Sequence, residues 1–479
     1  MLRTKSIDDS IADTQDEHNG LRRTLGPLDL VVFGVGVIIG TGIFVLTGKA
    51  AGTLAGPAIA LSFVVAGIAC GLAALCYAEF ASSVPVAGSA YTFAYASIGE
   101  LVAWIIGWDL ILELALGAAT VASGWSDYFR VVCEDTLGVV LPAWADGPHH
   151  NLVAALLVLT ITGLLCLGVK ISSRVNAVMV AIKLTVVLLV IVAGIFYVTG
   201  TNLDPFIPPS GSTPAPGGEA TTTLLQDLGI NTGTFGVGGI FSAAALVFFA
   251  FIGFDIVATA AEETKNPQRD MPLGIFGSLA ICTLLYVLVS LVITGMVPYD
   301  QIKIEAPLAE AFRSVGQTTI AQIISIGALA GLTTVCLILL MGQSRVFFAM
   351  SRDHLLPPAF SKVSKRFQTP YRTTIATGIA VALLAFFIDL TTLAELVNIG
   401  TLFAFIVVAI GIVVLRRTRP DLERSYRTPA VPLVPILAVL SSLWLMLNLP
   451  AETWERFAIW MLVGLVVYFA YARGHSRVS

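Results

Sequence analysis

Long apolar runs separated by short polar segments dominate this chain. Reading each run of about 20 apolar residues as one bilayer crossing predicts helical spans over 28–50, 57–83, 97–125, 151–169, 175–198, 237–262, 274–297, 319–350, 373–389, 393–415, 430–449 and 455–473. The pattern therefore predicts an all-α integral membrane protein with twelve transmembrane helices. A polar tail, 1–26, precedes them and lacks the apolar stretch and cleavage site of a signal peptide. The segment 201–236 is rich in Pro, Gly, Ser and Thr and reads as a flexible polar linker outside the membrane. It separates spans one to five (27–200) from spans six to ten (237–415), and spans eleven and twelve occupy 416–479 with a short tail. An odd number of spans in each set forces the two sets into opposite topology. That is the sequence pointer to inverted repeats around a midplane site. Each set also carries an amphipathic insert before its third span, Pro85–Ile98 and Glu305–Val315.

Composition agrees with the pattern. Hydrophobic residues make up 56% of the chain and charged ones only 12%, which excludes an ordinary soluble domain. The placement of charge says more than its net value. With the N-terminus inside, the cytoplasmic segments hold most of the 27 Lys and Arg residues, among them Arg22, Arg23, Lys265, Arg269, Lys362, Lys365, Arg366, Arg416 and Arg417. That bias places both termini in the cytoplasm. The six cysteines are scattered, with only Cys133 in a predicted exterior loop. No Cys/His spacing suggests a metal site, and no catalytic or phosphate-binding motif is present. The sequence therefore assigns no metal, no cofactor, no enzymatic activity and no nucleic-acid partner. It assigns no oligomeric state.

Two spans carry signs of interruption. The first reads LVVFGVGVIIGTGIFVLTG, with Gly40-Thr41-Gly42 near its middle. Each glycine costs a helix roughly 1 kcal/mol relative to alanine. Unwinding there frees backbone groups that hydrocarbon cannot satisfy, so a break is tolerated only beside a polar cavity. The N–H groups opening the outer half-helix would then suit a carboxylate. Close packing through small residues is the alternative use of the same glycines. Span six reads FSAAALVFFAFIGFDIVATAAEETKNPQRDMP, and a break near Gly253 would free the carbonyls of Phe249, Ala250 and Ile252 for an ammonium. Asp255 falls in the first turn beyond it, a capping position, with direct cation binding as the alternative. One break that donates and one that accepts suit an amino-acid zwitterion.

Lys183 stands alone within the apolar run Val175–Val198. It lies about 13 Å along the helix from Arg174 at ~1.5 Å per residue, too deep for easy snorkelling. Such a residue costs roughly 2.5–3.5 kcal/mol on insertion scales and marks ion or proton pathways, unless it merely pairs with a carboxylate in helix packing. Asp109 and Glu113 share one face of span three, and Glu113, near its centre, is either an acid of a cavity or a buried carboxylic acid bonded to a neighbouring helix. Glu79, Glu262, Glu263 and Asp270 are expected to form a charge cluster with Arg269, Arg345 and Arg352 at the cytoplasmic helix ends.

These residues carry a family resemblance. IIGTGIFVLTG resembles the glycine-rich motif of amino-acid permeases of the APC superfamily. FFAFIGFDIVATAAEETKNPQRDMPLGI and GQSRVFFAMSRDHLLP are similar to the cationic amino-acid transporter branch and its bacterial relatives. The resemblance implies the leucine-transporter-type fold, a 5+5 inverted repeat plus two C-terminal helices. It implies a headgroup site at Ile38, Thr41, Gly42, Phe249, Ala250 and Ile252. Its span-five lysine falls on Lys183, in the place of a sodium ion in sodium-coupled relatives, and so implies coupling to protons.

The expected protein is thus a plasma-membrane amino-acid importer whose partners are an amino-acid substrate, protons and the lipid bilayer. It would work by alternating access, with Gly40, Gly253 and Asp255 shaping the breaks. Exchange with Lys183 as a fixed structural cation is the alternative. Selectivity is expected around Glu113, Phe251 and Leu337–Met341, and the choice between neutral and cationic amino acids stays open.

Overall fold

The computed structural model describes residues 25–83, 90–142, 145–147, 150–168, 173–216, 222–230, 233–258, 264–362, 364, 369–422 and 424–475. Helices dominate, as the apolar runs require. Those of eight or more residues are α1 Pro27–Ile38, α2 Ile59–Ser83, α3 Ala90–Ser97, α4 Glu100–Val132, α5 Leu152–Cys166, α6 Ser173–Gly194 and α7 Gly236–Val247. They continue with α8 Pro267–Met296, α9 Pro307–Ser314, α10 Thr318–Arg352, α11 Tyr371–Phe387, α12 Leu390–Thr418, α13 Leu433–Leu447 and α14 Ala451–Val467. Among the described residues, eight helical stretches are long and apolar enough to cross a membrane. Four shorter apolar helices, Pro27–Ile38, Leu152–Cys166, Tyr371–Phe387 and Leu433–Leu447, accompany them.

Helix ends are fixed locally. The Asn151 side chain accepts from the Ala154 N–H at 2.8 Å and starts α5. Asp389 does the same for α12, accepting from Thr391 and Thr392 at 3.0 and 3.1 Å. Each satisfies N–H groups that a helix start leaves without partners.

The helices pack as two interleaved sets. α8 runs along both α1 and α2, while α4 runs along α10 and α11 along α5. α6 touches α1, α8 and α10, and so sits where the sets meet. α12 lies against α2 and α4. The last helix is fastened to α4 by tryptophans: Trp108 donates to the Trp460 carbonyl at 2.9 Å, and Trp460 donates back to that of Trp108 at 3.2 Å. Trp104 donates to Gly464 at 2.9 Å. Indole N–H groups need such acceptors wherever no water reaches them.

Three expectations change. The segment read as a flexible linker is tied down: Ala215 N–H donates to Gly52 at 2.9 Å and Phe235 N–H to Leu54 at 2.8 Å. Its polar composition hid backbone pairing with the chain that continues α1. Cys133 is buried in the helical turn Cys133–Leu137 that extends α4, not in a loop. Glu79 pairs with Arg416 at 2.7 Å and Arg424 at 3.3 Å instead of Arg269, Arg345 or Arg352. The last turn of α12, which lies against α2, supplies Arg416, and the chain that follows it supplies Arg424. Glu262 and Glu263 lie outside the described residues.

Candidate functional site

Both interruptions exist. α1 ends at Ile38, Ile39 is extended (φ −71°, ψ 100°), and helical geometry resumes at Thr41. The break therefore falls on Ile39-Gly40, slightly earlier than Gly40-Thr41-Gly42. Beyond it the chain forms the wide helical turns Gly42–Leu46 and Ala51–Ala55 around Thr47–Ala50. The first bond of the restarted helix joins the Phe44 N–H to Gly40 C=O at 3.3 Å. The N–H groups just ahead of it, at Thr41, Gly42 and Ile43, have no carbonyl one turn back.

The second interruption follows α7. Residues Phe248–Phe251 tighten into a 3-10 turn, Ile252 is extended, and Gly253 has φ +117°. That φ is open only to glycine without strain. The short helix Phe254–Ala258 then begins. Asp255 lies in its first turn, and its carboxylate accepts from the Gly253 N–H at 3.2 Å, so it holds the turn from within.

The two breaks touch. A Cβ on Gly42 would collide with the backbone of Ala250, and one on Gly253 would press 2.6 Å from Val37. Glycine at both positions permits the contact.

Freed backbone groups find identifiable partners, as buried polar groups must. Gly36 is a carbonyl whose next-turn N–H, on Gly40, lies past the end of α1. The Lys183 ammonium of α6 donates to it at 2.6 Å. Lys183 is 1% exposed, and its stem lies against Gly331 of α10. The carbonyls of Ile38 and Ala250 both face the hydroxyl of Tyr286 on α8, at 2.9 and 2.8 Å. Those of Ala245 and Leu246, at the end of α7, accept from the Asn398 amide of α12 at 2.8 and 2.9 Å. Tyr286 and Asn398 were not singled out from the sequence. A tyrosine and an asparagine inside apolar spans look like ordinary core polar residues, and only the positions of the breaks give them a task.

A cavity of about 20 Å³ lies between the breaks. Gly40, Thr41 and Gly42 of the first break and Glu113 of α4 form its polar wall. Its remaining lining is apolar, chiefly Ile38, Leu114, Phe249, Ile252, Val335 and Leu339. The Thr41 hydroxyl is buried without a hydrogen-bond partner among the described residues. Glu113 is buried within hydrogen-bonding reach of Thr401 on α12. Such a volume holds about one water molecule, so a larger occupant requires the walls to part.

The structure thus brings Ile38, Gly40, Thr41, Gly42, Glu113, Phe249 and Ile252 together around one cavity. Ala250 sits behind it, with its carbonyl already taken by Tyr286. Phe251, expected to select side chains, packs instead against Phe63 and Tyr286. The 3-10 turn rotates Phe249 inward in its place. From the stretch 337–341, only Leu339 reaches the cavity.

Similarity to known proteins shows the family. The sequence profile of the amino acid permease family matches residues 25–468. The chain is 50% identical over 489 residues to the branched-chain amino acid permease BcaP of Bacillus subtilis (strain 168), spanning 100% of this chain and 99% of that one. It is 47% identical over 472 residues to the methylthioribose transporter of the same organism, spanning 97% and 96%. It is 42% identical over 427 residues to the vacuolar cationic amino acid transporter 2 of Arabidopsis thaliana, spanning 88% of this chain and 64% of the relative. The protein is thus a multi-pass membrane protein that belongs to the amino acid permease family of the APC superfamily, whose members here are transporters and not enzymes.

Proposed function

We propose that the chain imports neutral, branched aliphatic amino acids across the plasma membrane, driven by protons, by alternating access. The observation that carries this reading is the Lys183–Gly36 contact of 2.6 Å at the end of a broken helix, beside a mostly apolar cavity. N–H groups opening the restarted helix at Thr41 and Gly42 receive the substrate carboxylate. Carbonyls at the second break, near Phe249, Ala250 and Ile252, receive its ammonium. An aliphatic side chain then meets Ile38, Leu114, Val335 and Leu339, and the polar lining is too sparse to favour a cationic one. The likeness to BcaP supports the same choice.

In this reading the chain crosses the bilayer twelve times with both termini in the cytoplasm, in two inverted sets of five (27–200 and 237–415) followed by two further spans. Protonated Lys183 holds the inner part of the first span through Gly36 in the form ready to bind from outside. Release of that proton to the cytoplasm frees the carbonyl, and the inner half-helix swings to discharge substrate. Asp255 keeps the second break closed on itself during the motion.

The likeness to a methylthioribose transporter offers a second reading. That sugar has neither an ammonium nor a carboxylate, so it leaves both sets of freed backbone groups unread. Uptake of labelled leucine into proteoliposomes with an inside-alkaline pH gradient tests the proposal. Accumulation that collapses with a protonophore, and is competed by isoleucine and valine but not by arginine or methylthioribose, is the expected result. Counterflow without any effect of the gradient would instead favour an exchanger with Lys183 as a fixed cation. Competition by methylthioribose alone would overturn the amino-acid reading.

A further inference from the structure

Tyr286 is buried on α8 and faces both interruptions at once, with its hydroxyl 2.9 Å from Ile38 C=O and 2.8 Å from Ala250 C=O. A hydroxyl carries one proton, so it fully satisfies one of these two acceptors and leaves the other wanting a donor. Both carbonyls belong to segments that regular helix geometry has abandoned. Ile38 closes α1, and Ala250 lies in the 3-10 turn. Ile38 also lines the cavity.

The tyrosine has no freedom to take another partner. Its ring is wedged between Phe63 and Phe251, with centroids 5.3 and 5.4 Å away. The helix that carries Tyr286 also packs against α6, the helix of Lys183. This face of α8 therefore stands behind the carbonyls of Ile38 and Ala250, which Tyr286 holds, and beside Lys183 of α6, which holds that of Gly36.

We propose that Tyr286 is a positioning residue that pins the two interrupted spans together at the substrate's ammonium subsite. This deepens the amino-acid reading above and rests on it. In the empty carrier the hydroxyl serves both carbonyls in turn. An arriving ammonium, with three N–H donors, takes over one of them, and the tyrosine proton settles on the other. The hydroxyl thus keeps the two half-sites in register before binding and frees a single acceptor on binding.

Replacement of Tyr286 by phenylalanine removes the hydroxyl and keeps the ring. The expected result is a KM for leucine raised about tenfold, the worth of one hydrogen bond, with Vmax per folded carrier little changed. A merely structural role would lower Vmax and thermal stability and leave KM alone, and that outcome overturns the proposal. Should Tyr286→Phe fold poorly, 3-fluorotyrosine at 286 keeps the shape and alters the hydroxyl's hydrogen-bond strength. A shifted KM then supports the proposal, and an unchanged one overturns it. Hydrogen–deuterium exchange of 36–44 and 248–256 gives a readout that does not depend on transport. Loss of the hydroxyl should raise exchange in both segments together, and a rise in neither or only one overturns the tie. Wild-type protein that takes up no leucine would sink the transport reading instead, with the exchange result still deciding the role of Tyr286.

Discussion

The Lys183 ammonium sits 2.6 Å from the carbonyl oxygen of Gly36 and joins α6 to the last turn of α1. The carbonyl is available because the helix stops before its next-turn partner, and the lysine is tolerated in an apolar span because the carbonyl is there. Neither anomaly is stable alone. A freed carbonyl in hydrocarbon and an unpaired ammonium each cost several kcal/mol.

Lys183→Ala should therefore separate binding from driving. Leucine counterflow, which needs no gradient, should survive within about an order of magnitude, a change of roughly 1.4 kcal/mol. Accumulation driven by a pH gradient should vanish. Gradient-driven accumulation in the variant equal to wild type would remove Lys183 from the coupling mechanism.

Gly42→Ala places a methyl group against the backbone of Ala250, which has no rotamer through which to yield. Overpacking of this kind costs about 1–3 kcal/mol. Because the clash lies between the two breaks, leucine-induced thermal stabilisation should be lost to a greater degree than basal stability. Gly253→Ala adds backbone strain at φ +117°, and should lower the melting temperature further. A Gly42→Ala carrier with normal leucine-induced stabilisation would place the substrate elsewhere.

Glu79 anchors the chain that follows α12. It accepts from Arg416 at 2.9 and 2.7 Å and from the Thr428 N–H at 2.8 Å, and it lies 3.3 Å from Arg424, which is 6% exposed. Removing one member of such a buried pair costs about 3–5 kcal/mol, because the partner charge is left without compensation. Glu79→Ala should lower the melting temperature markedly and open 419–432 to trypsin. Resistance to trypsin equal to wild type would show that the segment is held by other contacts.

Asp389 supplies a pH-dependent cap. Burial pushes its carboxyl up, but hydrogen bonds from Thr392, the charge of Lys49 and the Thr391 amide together hold it below its ordinary value of 3.8. A lowered folded value means that the cap's contribution is full above the unfolded value and fades as pH falls through the folded one. Asp389→Ala should cost about 0.5–2 kcal/mol near neutral pH, measured by thermal denaturation in detergent. Its melting curve should converge with that of wild type in strong acid. A gap between the two proteins that persists into acid would contradict capping by the carboxylate.

The informative parts of the sequence were violations of its own pattern. Lys183, Gly40 and Gly42 stand out because their neighbours are mostly apolar, and the structure places all three at the first break. Tyr286 breaks no pattern, and neither does the contact between Gly42 and Ala250. Ala250 matters because Gly42 approaches it, and a close approach between distant segments leaves no trace in local composition. For a similar reason Phe251 is expected to face the substrate side chain, where Phe249 stands instead. A regular helix and a 3-10 turn present different faces, and the turn appears only once the break is located. The Pro- and Gly-rich segment after α6 was misread because backbone hydrogen bonds are indifferent to side-chain identity.

The cavity between the breaks has a consequence for the resting carrier. At about 20 Å³ it has room for about one water molecule, so no file of waters fits between the breaks. A carrier of this shape keeps its two interrupted spans in contact, and an occupant of amino-acid size enters only where the walls part.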